Sequence, residues 1–164
     1  MVVGSQRKTS TDGDSFVSRG PNWLPWTIFI LSLAGVAISS YLVLAHLTQA
    51  SVLACPENGT INCAKVTTSA QSRFLGIPVA YLGLGFFTIY SLVNWPRSFY
   101  KRLQSILRLG MALGSVAMVL WLIYAELLII NAICLWCSAV HLITLSIFFL
   151  VVYATIQFRL ISTR

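Results

Sequence analysis

Charge is what this 164-residue sequence has least of. Only 9% of its residues are charged and only four are acidic, against about 25% charged in an ordinary globular domain. Hydrophobic residues make up 57%, and the mean hydropathy is +0.82. Fifteen charged side chains cannot cover a water-facing surface around this much Leu, Ile and Val, so a soluble domain and a disordered chain are both excluded. A nucleic-acid binder is excluded too, despite a net charge of +7. The sequence also lacks internal repeats, a nucleotide-binding glycine motif, a haem-attachment motif and a flavin domain. A multi-span membrane protein remains.

Charge-free windows locate the spans. Residues 20–56, 74–96, 109–125 and 127–158 contain no Lys, Arg, Asp or Glu. They hold four continuously apolar runs, about 24–47, 77–95, 103–127 and 132–158. A helix crosses the hydrocarbon core with about 20 residues, and none of the runs alternates with period two as strands do. The expected fold is therefore an all-α membrane protein, a four-transmembrane-helix bundle within residues 23–159. Residues 1–22 read as a polar disordered cytoplasmic tail, and 160–164 as a cytoplasmic tail. The first apolar run is too long for the core of a cleavable signal peptide. Pro25 and Pro78 fall in first turns, where the missing N–H costs little. Trp23, Trp26, Trp95 and Tyr100 fall at interfaces. Arg108, inside the third span, is expected to snorkel to the interface.

Four spans put both termini and the loop between spans two and three on one side. That side carries Arg7, Lys8, Arg19, Arg97, Lys101, Arg102, Arg108, Arg159 and Arg164; the other carries Lys65 and Arg73. This bias makes the termini cytoplasmic and turns the loop 48–76 outward, with the turn near Leu128–Ile133. The protein is then expected in a plasma or inner membrane, and its basic charge reports topology and anionic lipid.

All four cysteines, Cys55, Cys63, Cys134 and Cys137, fall on the outward half, in a compartment that permits disulfides. Cys134-Leu-Trp-Cys137 is a Cys-x-x-Cys motif at a helix start. Its sulfurs can bridge one turn, and the helix N-terminus favours thiolate on the more exposed sulfur. Cys55 and Cys63 flank a turn-rich segment and can be read as a loop staple. Zinc held by all four is an alternative, although seven intervening residues is not a zinc-knuckle spacing. Two pairs on one membrane face favour a relay, in which one pair meets a soluble partner and the other an electron sink. At the edge of an apolar bundle, a lipid-soluble quinone fits that sink.

These residues resemble the vitamin K epoxide reductase family in its prokaryotic single-domain form. The resemblance rests on Cys55-x7-Cys63, on Ala64-Lys65-Val66-Thr67-Thr68-Ser69, on Gly76-Ile77-Pro78 and on Cys134-Leu-Trp-Cys137, and it covers roughly residues 24–158. The DsbB family, with pairs in two periplasmic loops, fits less well. The resemblance implies that Cys55 exchanges with a separate thioredoxin-like (DsbA-like) protein and that Cys63 shuttles to a disulfide at Cys134. It implies that Cys137 reduces a quinone of the menaquinone, ubiquinone or phylloquinone type, with Ser69 nearby. It also implies an extracytoplasmic loop whose short helix, over Ala64–Phe74, caps the bundle. Where the animal enzymes carry a quinone-bonding tyrosine, this sequence has His141, one turn from Cys137 and able to donate to a quinone carbonyl. The animal asparagine has no unambiguous match, which favours simple quinone reduction over epoxide chemistry.

Other residues have plainer expected roles. His46 reads as an interface residue and Glu126 as reaching headgroup water. Trp121, Tyr124 and Trp136 read as pocket walls or as belt and packing residues. Asn58-Gly-Thr60 matches a glycosylation acceptor. A non-catalytic membrane protein with structural disulfides or a zinc site is the competing reading of the whole.

Overall fold

The computed structural model describes residues 23–48, 54–55, 58–96 and 102–162. The expected tail of residues 1–22, and with it Arg7, Lys8 and Arg19, lies outside the described residues, as do Glu57, Arg97, Tyr100, Lys101 and Arg164.

Among the described residues the chain begins with helix α1 (Trp23–Leu47), with Pro25 in its first turn. Besides Pro25, its buried positions, Leu24, Ile28, Ser32, Gly35, Ser39, Leu42 and Ala45, recur every three or four residues and form one stripe. Small residues in that stripe let a neighbouring helix come close. A Cβ at Gly35 would overlap the Phe87 ring. That ring belongs to α3 (Val79–Val93), against which α1 packs most extensively. Helix α4 (Arg102–Tyr124) continues as one wider π-helical segment, Ala125–Ile130, and α5 (Leu135–Ser162) packs on both α1 and α4. Leu24, Ile28, Phe87, Tyr90, Ala112, Ile147, Val151 and Ala154 form the core at one end of this up-and-down bundle.

Three helical stretches are long and apolar enough to cross a membrane: Trp23–Leu47, Leu103–Ile130 and Leu135–Gln157. Their outward faces carry Leu33, Leu44, Leu113, Leu120, Leu142 and Phe149, all exposed. An apolar exterior of this extent matches lipid as solvent. Helix α3 is apolar but has 15 residues, about 22 Å at the usual rise. It starts later than the expected position 77 because Ile77–Pro78 is strand β2, paired antiparallel with β1 (Arg73–Phe74). Leu75 (φ 52°) and Gly76 (φ 84°) make the two-residue turn between them, the left-handed geometry that suits a tight hairpin.

Three further expectations are corrected. Arg108 does not snorkel. It is 2% exposed and its Nε donates to Asn94 Oδ1 at 2.6 Å, so a buried amide at the end of α3 takes the place of interface water. The turn expected at Leu128–Ile133 starts later, because the π-helical segment carries the third apolar stretch to Ile130. Asn131 ends it in the left-handed conformation (φ 51°), which Asn tolerates. Helix α5 runs to Ser162, and its membrane-length apolar part, Leu135–Gln157, falls within the expected run 132–158. The segment Ala64–Phe74 is a chain of short pieces, with α2 (Cys63–Thr68), a 3₁₀ turn (Ala70–Ser72) and then β1. Ser69 makes the break: its hydroxyl donates to the Val66 carbonyl (2.8 Å) and accepts the Ser72 N–H (3.2 Å).

Candidate functional site

The site is assembled where the end of α1, the start of α3, the π-helical segment and the start of α5 meet. Asn62 opens α2, its Oδ1 accepting the Lys65 N–H at 2.8 Å. Cys63 is therefore the first residue of a capped helix, and it is fully buried. The strand-like residues before it dock on the linker before α5. Ile133 N–H donates to the Thr60 carbonyl (2.9 Å) and Asn62 N–H to the Ile133 carbonyl (3.1 Å), a parallel bridge. These backbone bonds bring Cys63 into one buried cluster with Cys134, Val66, Ile130 and Ala132, against which Cys55, Trp136 and Cys137 pack. A disulfide joins Cys55 to Cys63, with Cα atoms 6.1 Å apart. Cys134 and Cys137 are free thiols.

Ala54, next to Cys55, is held from two directions. Trp136 Nε1 donates to its carbonyl (2.9 Å), and its N–H donates to the Tyr41 hydroxyl (2.8 Å). The Tyr41 and Trp136 rings are themselves in contact, centroids 4.8 Å apart. Trp136 is thus a clamp on the cysteine loop rather than a pocket wall. Trp121 and Tyr124 stack on each other, half exposed, on the outer face of their helix.

Cys134 stands immediately before α5, in the N-cap position. Its Sγ accepts the Cys137 N–H (3.3 Å), and its carbonyl accepts the Ser138 N–H (2.9 Å). A hydrogen bond from the Cys137 thiol, with the first-turn amides of Cys137 and Trp136, pulls the Cys134 thiol below the ordinary thiol range, against the opposing effect of burial. The thiolate expected on the more exposed sulfur is thus favoured on the buried one, Cys134, chiefly through the Cys137 thiol.

Cys137 faces inward onto a cavity of about 450 Å³, within the range of small-molecule sites. Ser39, Val66, Phe86, Met118 and Val140 are among its mostly apolar walls, and His141 and Thr144 line it on the same face of α5 as Cys137. Ser69 reaches it from the loop. Cys134 is not among the lining residues, so the two sulfurs of the motif differ: one meets the loop disulfide, the other the cavity. An apolar chamber beside a thiol, with an imidazole one turn away, fits a quinone ring and its chain. His46 is a wall of this cavity, edge-on to Tyr81 at 6.2 Å, and not simply an interface residue.

Glu126 overturns an expectation outright. It does not reach headgroup water; it is 6% exposed and lines the cavity. Its carboxyl lies beside the Cys134 backbone N–H. Sequence reasoning missed it because an acidic residue near a span end ordinarily faces the interface. An acid in so charge-poor an outer segment was the available signal. Tyr41 and Asn62 were missed as well, since their partners lie far along the chain or in an irregular loop.

A disulfide and a dithiol sharing one buried cluster, at the end of a bundle suited to lipid, define a helical membrane protein of the thiol–disulfide class. The model for the Vitamin K epoxide reductase family matches residues 26–152. The chain belongs to that family, whose members are membrane-bound oxidoreductases that generally use quinones.

Proposed function

We propose that the protein is a quinone-dependent thiol–disulfide oxidoreductase that drives disulfide formation in a separate thioredoxin-like (DsbA-like) partner. The observation that carries this reading is the buried cluster holding the Cys55–Cys63 disulfide against Cys134, with Cys137 on the apolar cavity. The partner's dithiol reduces Cys55–Cys63 and leaves with a disulfide. Cys63 thiolate attacks the Cys134–Cys137 disulfide at Cys134, and Cys55 then closes on Cys63. The loop disulfide and the free pair seen here are the state that follows this exchange. Quinone supplies the electron sink. Cys137 reduces it, Cys134 closes back on Cys137 to re-form the disulfide, and His141 donates to a quinone oxygen. A quinone of the menaquinone, ubiquinone or phylloquinone type suits the cavity. In this reading α3 with its flanking residues completes a fourth crossing, the termini are cytoplasmic and the cysteines extracytoplasmic.

The competing zinc reading loses two ligands, because Cys55 and Cys63 are joined to each other. Purified protein given a reduced thioredoxin-like partner and a soluble quinone should reduce the quinone, and Cys137→Ala should abolish it. Undiminished turnover in that variant overturns the reading. Cys63→Ala should trap Cys55 in a mixed disulfide with the partner, which inert loop staples would not do.

A further inference from the structure

We propose that Glu126 is the proton-transfer group of this site, moving protons between the Cys134–Cys137 pair and the quinone; the inference rests on the function proposed above. Three features converge on it. First, Glu126 is nearly enclosed and lines the same cavity as Cys137 and His141. Second, the widened π-helical segment that begins at Ala125 carries it, and the Glu126 backbone carbonyl takes the N–H groups of both Asn131 and Ala132. Interruptions of this kind often mark functional positions in helices. Third, its carboxyl lies beside the Cys134 N–H and near both sulfurs, at the start of α5.

Among the described residues that line the cavity, none is Lys or Arg. A carboxyl set there without a cation has a proton as its natural partner. The reaction needs such a group. Oxidising the pair breaks two S–H bonds and forms one S–S bond. The two electrons and two protons reduce a quinone to its hydroquinone, which gains two O–H bonds. An apolar chamber offers little water to move those protons. Glu126 takes a proton from the thiol pair and delivers one to a quinone oxygen, ending each turnover as it began. His141, which lines the same cavity, takes the pair's other proton and passes it to the second oxygen, so it too ends each turnover as it began.

The test uses the full chain with its Cys134–Cys137 pair reduced and menadione as the soluble quinone, followed as a single turnover. Glu126→Gln keeps the size and polarity of the side chain, so the fold is retained. It should slow oxidation of the pair by ~100-fold, the ordinary worth of a positioned acid–base group. Thiol exchange from a dithiol partner to Cys55–Cys63 should be unchanged. Glu126→Asp should keep much of the rate, and added formate should raise the rate of Glu126→Ala. Oxidation of Glu126→Gln at the parent rate overturns the proposal. So does a formate-insensitive Glu126→Ala that still binds menadione, read by tryptophan fluorescence. If the parent's reduced pair is not oxidised by menadione at all, the quinone reading itself fails.

Discussion

The docking of the cysteine loop can be weakened without touching a sulfur. Ala54 is held by two hydrogen bonds, one from Trp136 Nε1 at 2.9 Å and one to Tyr41 Oη at 2.8 Å. Ala54 itself is exposed, so water replaces each lost partner, and each bond is worth about 1 kcal/mol. Trp136→Phe removes the first while keeping an aromatic ring against Tyr41; Tyr41→Phe removes the second. Each single variant should raise the loop's opening constant about 5-fold, and the double variant about 30-fold, at 1.4 kcal/mol per tenfold. The two bonds share one residue, so the double value should fall short of the product if they cooperate. Hydrogen exchange reads this directly. The Cys55–Cys63 disulfide ties Ala54 to the strand-like segment ahead of α2. The bridging amides of Asn62 and Ile133 should therefore lose protection by the same factor. Transfer of oxidising equivalents between the loop pair and Cys134–Cys137 should slow in step, while oxidation of an already reduced Cys134–Cys137 pair should not. Unchanged protection at Asn62 and Ile133 in the double variant would refute the clamp. A loss of protection spread along α1 and α5 would refute its locality.

Two further outcomes follow from single contacts. Gly35→Leu drives a side chain into the Phe87 ring; it should destabilise the bundle by about 1–3 kcal/mol or more, read as a lower midpoint of thermal unfolding in detergent, whereas Gly114→Ala, where an added Cβ meets nothing, should leave the midpoint in place. In a Cys55→Ser, Cys63→Ser background, thiolate absorbance should rise with pH at a midpoint below the ordinary thiol value of about 8.5, because the Cys137 thiol and first-turn amides favour the charged form of Cys134. Cys137→Ala removes the largest of those effects and should move the midpoint upward. A parent midpoint at or above the ordinary value would contradict the N-cap geometry.

Much of the site was legible in the chain. The Cys-x-x-Cys motif at a helix start sets Cys134 in the N-cap position by local geometry alone, since residues three apart in a first turn face each other. His141 follows one turn later by the same rule. Ser69 was legible as a neighbour of the site, although its hydroxyl is spent on joining two short helical pieces. The span-two boundary was less legible. Leu75 occupies a left-handed turn position usually given to Asn or Gly, so the hairpin carried no sequence signal there and was absorbed into an apolar run.

What the sequence determined by itself is where the apolar segments lie, that the cysteines cluster toward one end of them, and which chemistry such pairs allow. Those properties depend on distance along the chain and on composition. What only the tertiary structure decided is which faces meet. Helices that are apolar all round carry no polar–apolar contrast to fix their rotation against neighbours. The burial of Arg108 against Asn94, the inward turn of Glu126 and the division of labour between Cys134 and Cys137 could not be read from periodicity. The register of the loop on the linker before α5 is set by backbone bonds between Thr60, Asn62 and Ile133. Backbone groups are the same in every residue, so that pairing leaves no mark in the sequence.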